Sequence, residues 1–215
     1  MPIIDVHCHV SPLDYPAAPG PEAARRWPCM ACESQVSGTL MMGETPFRAL
    51  DSRSWDIARR LEDMDRDDVA VQVLSPMPEL LSYWHATEDA VILCDAVNSQ
   101  IAEMIARNPG RFRGLGAVPL QNPAAATQYL KRIRDGFGFS GVELGSNING
   151  TLLGDPSFEA FYAEAESLGL SIFVHALQPV AARAAGMPPA ETAFVYFPID
   201  VAMAAASIAM SGILS

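Results

Sequence analysis

The chain is 215 residues long, with 14 Lys+Arg against 25 Asp+Glu and a formal net charge of −11. That acidity excludes a nucleic-acid or anionic-lipid partner, because either needs a basic face. Half of the residues are hydrophobic, ample for a core and too many for a disordered chain, and the length fits one domain over 1–215.

Five strand signals recur in chain order, at Ile3–His9, Val69–Leu74, Phe112–Val118, Gly141–Leu144 and Leu170–Ala176. They are mostly continuous apolar runs, the pattern of parallel strands covered on both faces. Five helical stretches separate and follow them. Ser54–Asp65 carries Trp55, Ile57, Ala58, Leu61 and Met64 on one stripe. Thr87–Arg107 opens on Thr-Glu-Asp as cap and acidic first turn, and stops at Asn108-Pro109-Gly110. Pro123–Asp135 follows Asn122 as cap, and Pro156–Leu168 follows Asp155 in the same way. The last stretch, Pro189–Ile213, is broken near Pro198. Strict alternation of strand and helix predicts an α/β fold with a parallel sheet. Residues 10–53 form the one long insertion, a Pro- and Gly-rich loop of a size that is usually functional.

Several residue types are quickly assigned. Lys131 is the only lysine and sits in a predicted helix, which argues against Schiff-base chemistry. Cys8, Cys29, Cys32 and Cys94 are too few for a disulfide framework in a chain this long, so the reading is a cytoplasmic protein with reduced thiols. Cys29 and Cys32 have metal-ligand spacing, but without a second pair they read as loop thiols. Residues 193–214 carry one charge, Asp200, and are long enough to span a bilayer; Asp200, Pro198 and the Ala/Ser/Gly content favour a buried helix instead. No membrane partner is expected.

The chemistry gathers on the histidines. His7 and His9 close the first strand at i and i+2, so both imidazoles leave one face. His175 closes the fifth strand. In α/β barrels the strand carboxyl ends build the active site, and neutral imidazoles there form the core of a metal site. Cys8 points to the opposite face as packing. The fourth histidine, His85, lies in a Trp-containing loop and reads as a surface or helix-start residue. Glu143 stands in the short apolar strand Gly-Val-Glu-Leu-Gly, where a carboxylate needs a partner. It reads as a ligand, a base, a partner for an arginine or a buried structural ion pair. Asp5, two residues before His7, reads as a group orienting the site from below.

Ile4-Asp5-Val6-His7-Cys8-His9 resembles the first-strand signature of the amidohydrolase superfamily. Leu40–Arg48, Trp55, Arg60–Asp65, Val69–Val73, Ala117–Gln121 and Phe173–His175 are similar to the group of decarboxylases acting on 2-amino-3-carboxymuconate 6-semialdehyde. The resemblance implies a distorted (β/α)8 barrel, of the metal-dependent hydrolase type, with one divalent ion, zinc, held by His7, His9 and His175. It implies that Arg48, with Phe47 beside it on the insertion loop, grips the carboxylate of a small acidic substrate. It also implies non-oxidative decarboxylation of a carboxylated muconate semialdehyde or aromatic acid, and a homodimer as a possible assembly. Two departures stand out. The fourth strand carries Glu143 where two-metal relatives have a lysine, which favours one ion. The histidine and aspartate expected on later strands are not in the chain, which carries about five βα units of a fold that takes ~250 residues. The expectation is therefore the amino-terminal two-thirds of such an enzyme. Two other functions stay open: a hydrolase or hydratase acting on a lactone or carboxylated diene, and an inactive fragment or binding partner.

Overall fold

A computed structural model of the chain describes residues 2–180, 186 and 192–214. The first strand, β1 (Ile3–Val10), is followed by the insertion. There a short helix α1 (Pro21–Ala24) leads into β2 (Pro28–Cys32), β3 (Ser37–Met42) and β4 (Thr45–Asp51). The βα alternation then resumes with α2 (Ile57–Arg66), β5 (Val69–Pro76), α3 (Thr87–Arg107), β6 (Phe112–Gly116), α4 (Pro123–Lys131) and β7 (Gly141–Gly145). A small hairpin of β8 (Asn147–Ile148) and β9 (Thr151–Leu152) precedes α5 (Glu159–Ser167) and β10 (Ser171–His175). The last helix is α6 (Phe197–Ser211).

Five strands form one sheet in the order β1-β5-β6-β7-β10, every pair parallel. This is the expected α/β architecture, five consecutive strands of a (β/α) barrel. The sheet curls strongly. β1 and β10 are its two edges, yet the His7 and His175 ring centroids lie 5.1 Å apart across the hollow. The apolar side chains of the strands and inner helix faces fill the layer between them, with Leu74, Phe112, Val142, Leu144, Val97, Ile101, Leu130 and Phe161 essentially inaccessible.

Local signals explain most boundaries. Asp56 caps α2 by accepting from Ala58 and Arg59 backbone N–H groups, and Asn122 caps α4 by accepting from Ala125. α4 widens into a π-turn over Arg132–Gly136, where the sequence predicted a regular helix to Asp135. α3 has the predicted span, but its cap is Ala86 and not Thr87, so that end has acidic residues and no side-chain cap. Lys131 lies on the surface, 3.9 Å from Glu164.

Three expectations are corrected. The insertion is not a plain loop: β2, β3 and β4 pair as an antiparallel sheet. Cys29 and Cys32 therefore sit in a strand, three residues apart, and their side chains leave opposite faces. Strand β1 is not covered throughout, because an edge strand lacks one neighbour; Ile3, Ile4 and Val6 are more than half exposed. The final helix is not buried. Only Asp200 and Ala204 of α6 are inaccessible, while Met210 is 87% exposed. Ala193–Ser211 is long and apolar enough to cross a membrane by length and composition alone, and 11% of it is buried. The predicted start of this helix at Pro189 lies outside the described residues.

Candidate metal centre

β1 delivers His7 and His9, and β10 delivers His175, all at the carboxyl ends of their strands. Curling of the sheet brings the three together. Each offers a ring nitrogen, and these atoms lie within 4.8 Å of one another. The Nε2 atoms of His7 and His9 are 3.0 Å apart. The rings meet edge to face, with centroids 4.8–5.1 Å apart, and Phe173 packs on His7 at 5.3 Å.

Two of the imidazoles have a fixed tautomer. His9 Nδ1 lies 2.9 Å from the Pro76 carbonyl, and His175 Nδ1 lies 2.8 Å from the Ala176 carbonyl. A carbonyl only accepts, so both Nδ1 atoms carry the proton and both Nε2 atoms are left as electron-pair donors, that of His9 facing His7 Nε2 at 3.0 Å. Burial lowers His9 to about 4, with the charges of His175, His7 and Arg48 adding to the effect. Burial also lowers His175, with His7 and Arg48 acting in the same sense. These imidazoles are neutral at pH 7, the form a metal needs. A divalent ion fits this donor set.

The remaining predicted residues are placed as follows. Arg48, exposed on β4, is close enough for its charge to reach His9 and His175, and its guanidinium lies 5.4 Å from the Phe47 ring centroid. The antiparallel sheet of the insertion thus brings Arg48 within electrostatic reach of the histidine cluster, with Phe47 beside it. Asp5 accepts from the His7 backbone N–H at 3.2 Å; it shapes the strand end and reaches no imidazole. Cys8 points away from the histidines and is buried. His85 is buried, not on the surface: it lies between Trp27 and Trp84, with ring centroids at 5.3 and 6.1 Å, just ahead of α3.

Glu143 is inaccessible, and among the described residues no arginine or lysine pairs with it. Its Oε2 lies 3.7 Å from His9 Nδ1, too long for a hydrogen bond, and neither carboxyl oxygen has a hydrogen-bond partner. It sits behind His9 with no surface toward a substrate, so direct proton delivery by Glu143 is not what the geometry offers. Sequence reasoning missed three neighbours. Ser75 Oγ lies 3.1 Å from His9 Nδ1; Arg60 is buried and donates to the His9 carbonyl at 2.9 Å; and Glu79, half-buried after β5, feels the charge of Arg48. Ser75-Pro76 registered only as a strand end, and nothing local distinguishes Glu79.

The pH behaviour of the metal-free chain follows. Burial pushes Glu143 up from 4.5 to about 8, with Ser75 opposing. Across that window the native state holds a proton that the unfolded chain releases, so stability falls as pH rises. His9 acts oppositely between about 4 and 6.5, where the unfolded chain binds the proton. Above 6.5 the Glu143 slope is no longer opposed by His9. The melting temperature of the metal-free chain should decline from pH 6.5 to 8, a loss of about 2 kcal/mol. Glu143→Gln should flatten it; an unchanged slope in that variant would assign it elsewhere.

A curled parallel sheet with three histidines at its carboxyl edge defines a barrel-type sheet with a candidate metal site. The Amidohydrolase family profile (Amidohydro_2) matches residues 4–207, and the chain belongs to that family. It is 36% identical over 172 residues to 2-amino-3-carboxymuconate-6-semialdehyde decarboxylase of Dictyostelium discoideum, covering 80% of this chain and 48% of that protein. The crystal structure of 5-carboxyvanillate decarboxylase from Sphingomonas paucimobilis superposes with a TM-score of 0.70 at 26% identity, covering 76% of this chain and 49% of that one. A dihydroxybenzoic acid decarboxylase from Polaromonas, solved with bound manganese, shares the fold with a TM-score of 0.68 at 24% identity, over 76% of this chain and 52% of that one. The chain spans about half the length of the relatives it matches.

Proposed function

We propose that the chain carries the metal-binding and acid-recognising part of a non-oxidative decarboxylase, acting on a carboxylated muconate semialdehyde or an aromatic acid. The observation that carries this reading is the three-imidazole cluster, with Arg48 near enough for its charge to be felt at His9 and His175. His7, His9 and His175 hold one divalent ion, zinc in this reading. The ion supplies Lewis-acid polarisation of the bound acid. Arg48 binds a substrate carboxylate through its planar fork, and Phe47 offers an apolar face to a ring or diene. In the overall change one carbon–carbon bond breaks, the bonding pair stays on the substrate carbon, a proton takes the place of the carboxylate and carbon dioxide leaves. The similarity to decarboxylases of both muconate and aromatic acids supports this substrate class.

The test is carbon dioxide release by the zinc- or manganese-loaded chain from 2-amino-3-carboxymuconate 6-semialdehyde and from hydroxybenzoates. Release supports the proposal. Hydration or ring opening without carbon dioxide moves the chain to the hydrolase reading. Ion binding without turnover makes it a binding fragment. Arg48→Ala should weaken binding of the acid about tenfold to a hundredfold, the worth of a charge-assisted hydrogen bond. Calorimetry with a carboxylate analogue measures this whether or not turnover occurs, and unchanged affinity would remove Arg48 from the site.

A further inference from the structure

Glu143 has a position that substrate chemistry does not use. It lies in β7 between Val142 and Leu144, both inaccessible, and is itself inaccessible, with both oxygens unpartnered among the described residues. An uncompensated carboxylate in such a place is costly. Its side chain crosses the hollow of the sheet to the back of His9, with Oε2 3.7 Å from Nδ1. Ser75, also inaccessible, places its hydroxyl 3.1 Å from the same Nδ1, and the Pro76 carbonyl lies at 2.9 Å. Three oxygen-bearing groups thus converge on one face of one imidazole, while its Nε2 turns to the other histidines. Among the described residues no basic side chain pairs with Glu143. The compensating charge it lacks is the one a divalent ion brings to the far nitrogen of His9.

We propose that Glu143 is a positioning residue of the metal centre, acting from behind His9, beside Ser75, to tighten ion binding. This rests on the metal reading above. A ligand histidine is commonly oriented and made more basic by an oxygen on its other nitrogen, and loss of such a partner weakens metal binding. The linkage is reciprocal: the ion stabilises the buried carboxylate by as much as the carboxylate stabilises the ion.

The experiment compares the wild-type chain with Glu143→Gln, Ser75→Ala and the double variant. Zinc affinity is read by competition with a chromophoric chelator, the cobalt-substituted spectrum is recorded, and the metal-free forms are melted at pH 7. Glu143→Gln should weaken zinc about tenfold to a hundredfold and alter the cobalt spectrum. Its metal-free form should melt no lower than wild type, because the orphaned acid is gone. Ser75→Ala should weaken zinc less, and the double variant less than the product of the two. Unchanged affinity in Glu143→Gln, or a loss matched by lower metal-free stability, overturns the proposal in favour of a packing role. Should Glu143→Gln fail to fold, Ser75→Ala decides, and unchanged affinity there overturns it. A wild-type chain that binds no ion overturns the metal reading itself, a result distinct from a wild type that binds and a variant that binds equally well.

Discussion

The purified chain is expected to hold about one divalent ion, and His7→Ala/His9→Ala/His175→Ala is expected to hold none. The cluster is composed of three imidazole donors within 4.8 Å, two with their tautomer fixed by backbone carbonyls. Three protein ligands leave an open position, the arrangement of a catalytic ion. Single replacements should each cost much of the affinity, because two remaining imidazoles no longer surround the ion. Elemental analysis of the loaded, desalted proteins measures this, with circular dichroism as the folding control. A triple variant that keeps its metal would place the ion elsewhere. A folded wild type without metal would leave only the binding-partner reading.

The second large effect is expected at Asp200, far from the histidines in sequence. Its side chain is inaccessible and accepts from Ser146 Oγ, from Asn147 Nδ2 at 3.0 Å and from the Val180 backbone N–H at 3.3 Å. It is the polar pin of α6, whose outer face is exposed. Ser146 also accepts from the Leu177 backbone N–H at 3.1 Å, and its own N–H donates to the His175 carbonyl at 2.7 Å. The pin therefore also braces the segment carrying His175. Asp200→Ala leaves several buried donors without an acceptor and should cost about 3–5 kcal/mol. In a chain of this size that lowers Tm by about 10 °C. Gly154→Ala should act on the same contact by sterics, since a Cβ there would stand 2.1 Å from the Ser207 carbonyl oxygen. Thermal melts of both variants measure the effect. A shift under about 2 °C for Asp200→Ala would mean that α6 contributes little to the folded body.

The sequence by itself determined the alternation of five strands with helices, because each element has a local signature. Apolar runs mark strands, Asn122 and Asp155 mark helix starts, and Gly169 in a left-handed turn ends the region of α5. It also determined that His7 and His9 share a face, since a strand alternates with a period of two. It placed His175 at a strand end and marked Glu143 as a carboxylate in need of a partner.

Only the tertiary structure decided what these residues meet. Whether His175 reaches His7 depends on how strongly the sheet curls between its two edges, and no local pattern carries that curvature. Among the described residues Glu143 meets the back of His9 at 3.7 Å and no arginine, because its neighbour lies across the hollow and not along the chain. The insertion became an antiparallel sheet carrying Arg48 because β2, β3 and β4 pair with one another through residues whose turn chemistry resembles a loop. The same limit explains α6. Its apolar composition signals something to cover, but burial is a property of what packs alongside. Here only Asp200 and Ala204 are fully covered, with Ile208 half-buried against the core, and the fold decides that, not the helix.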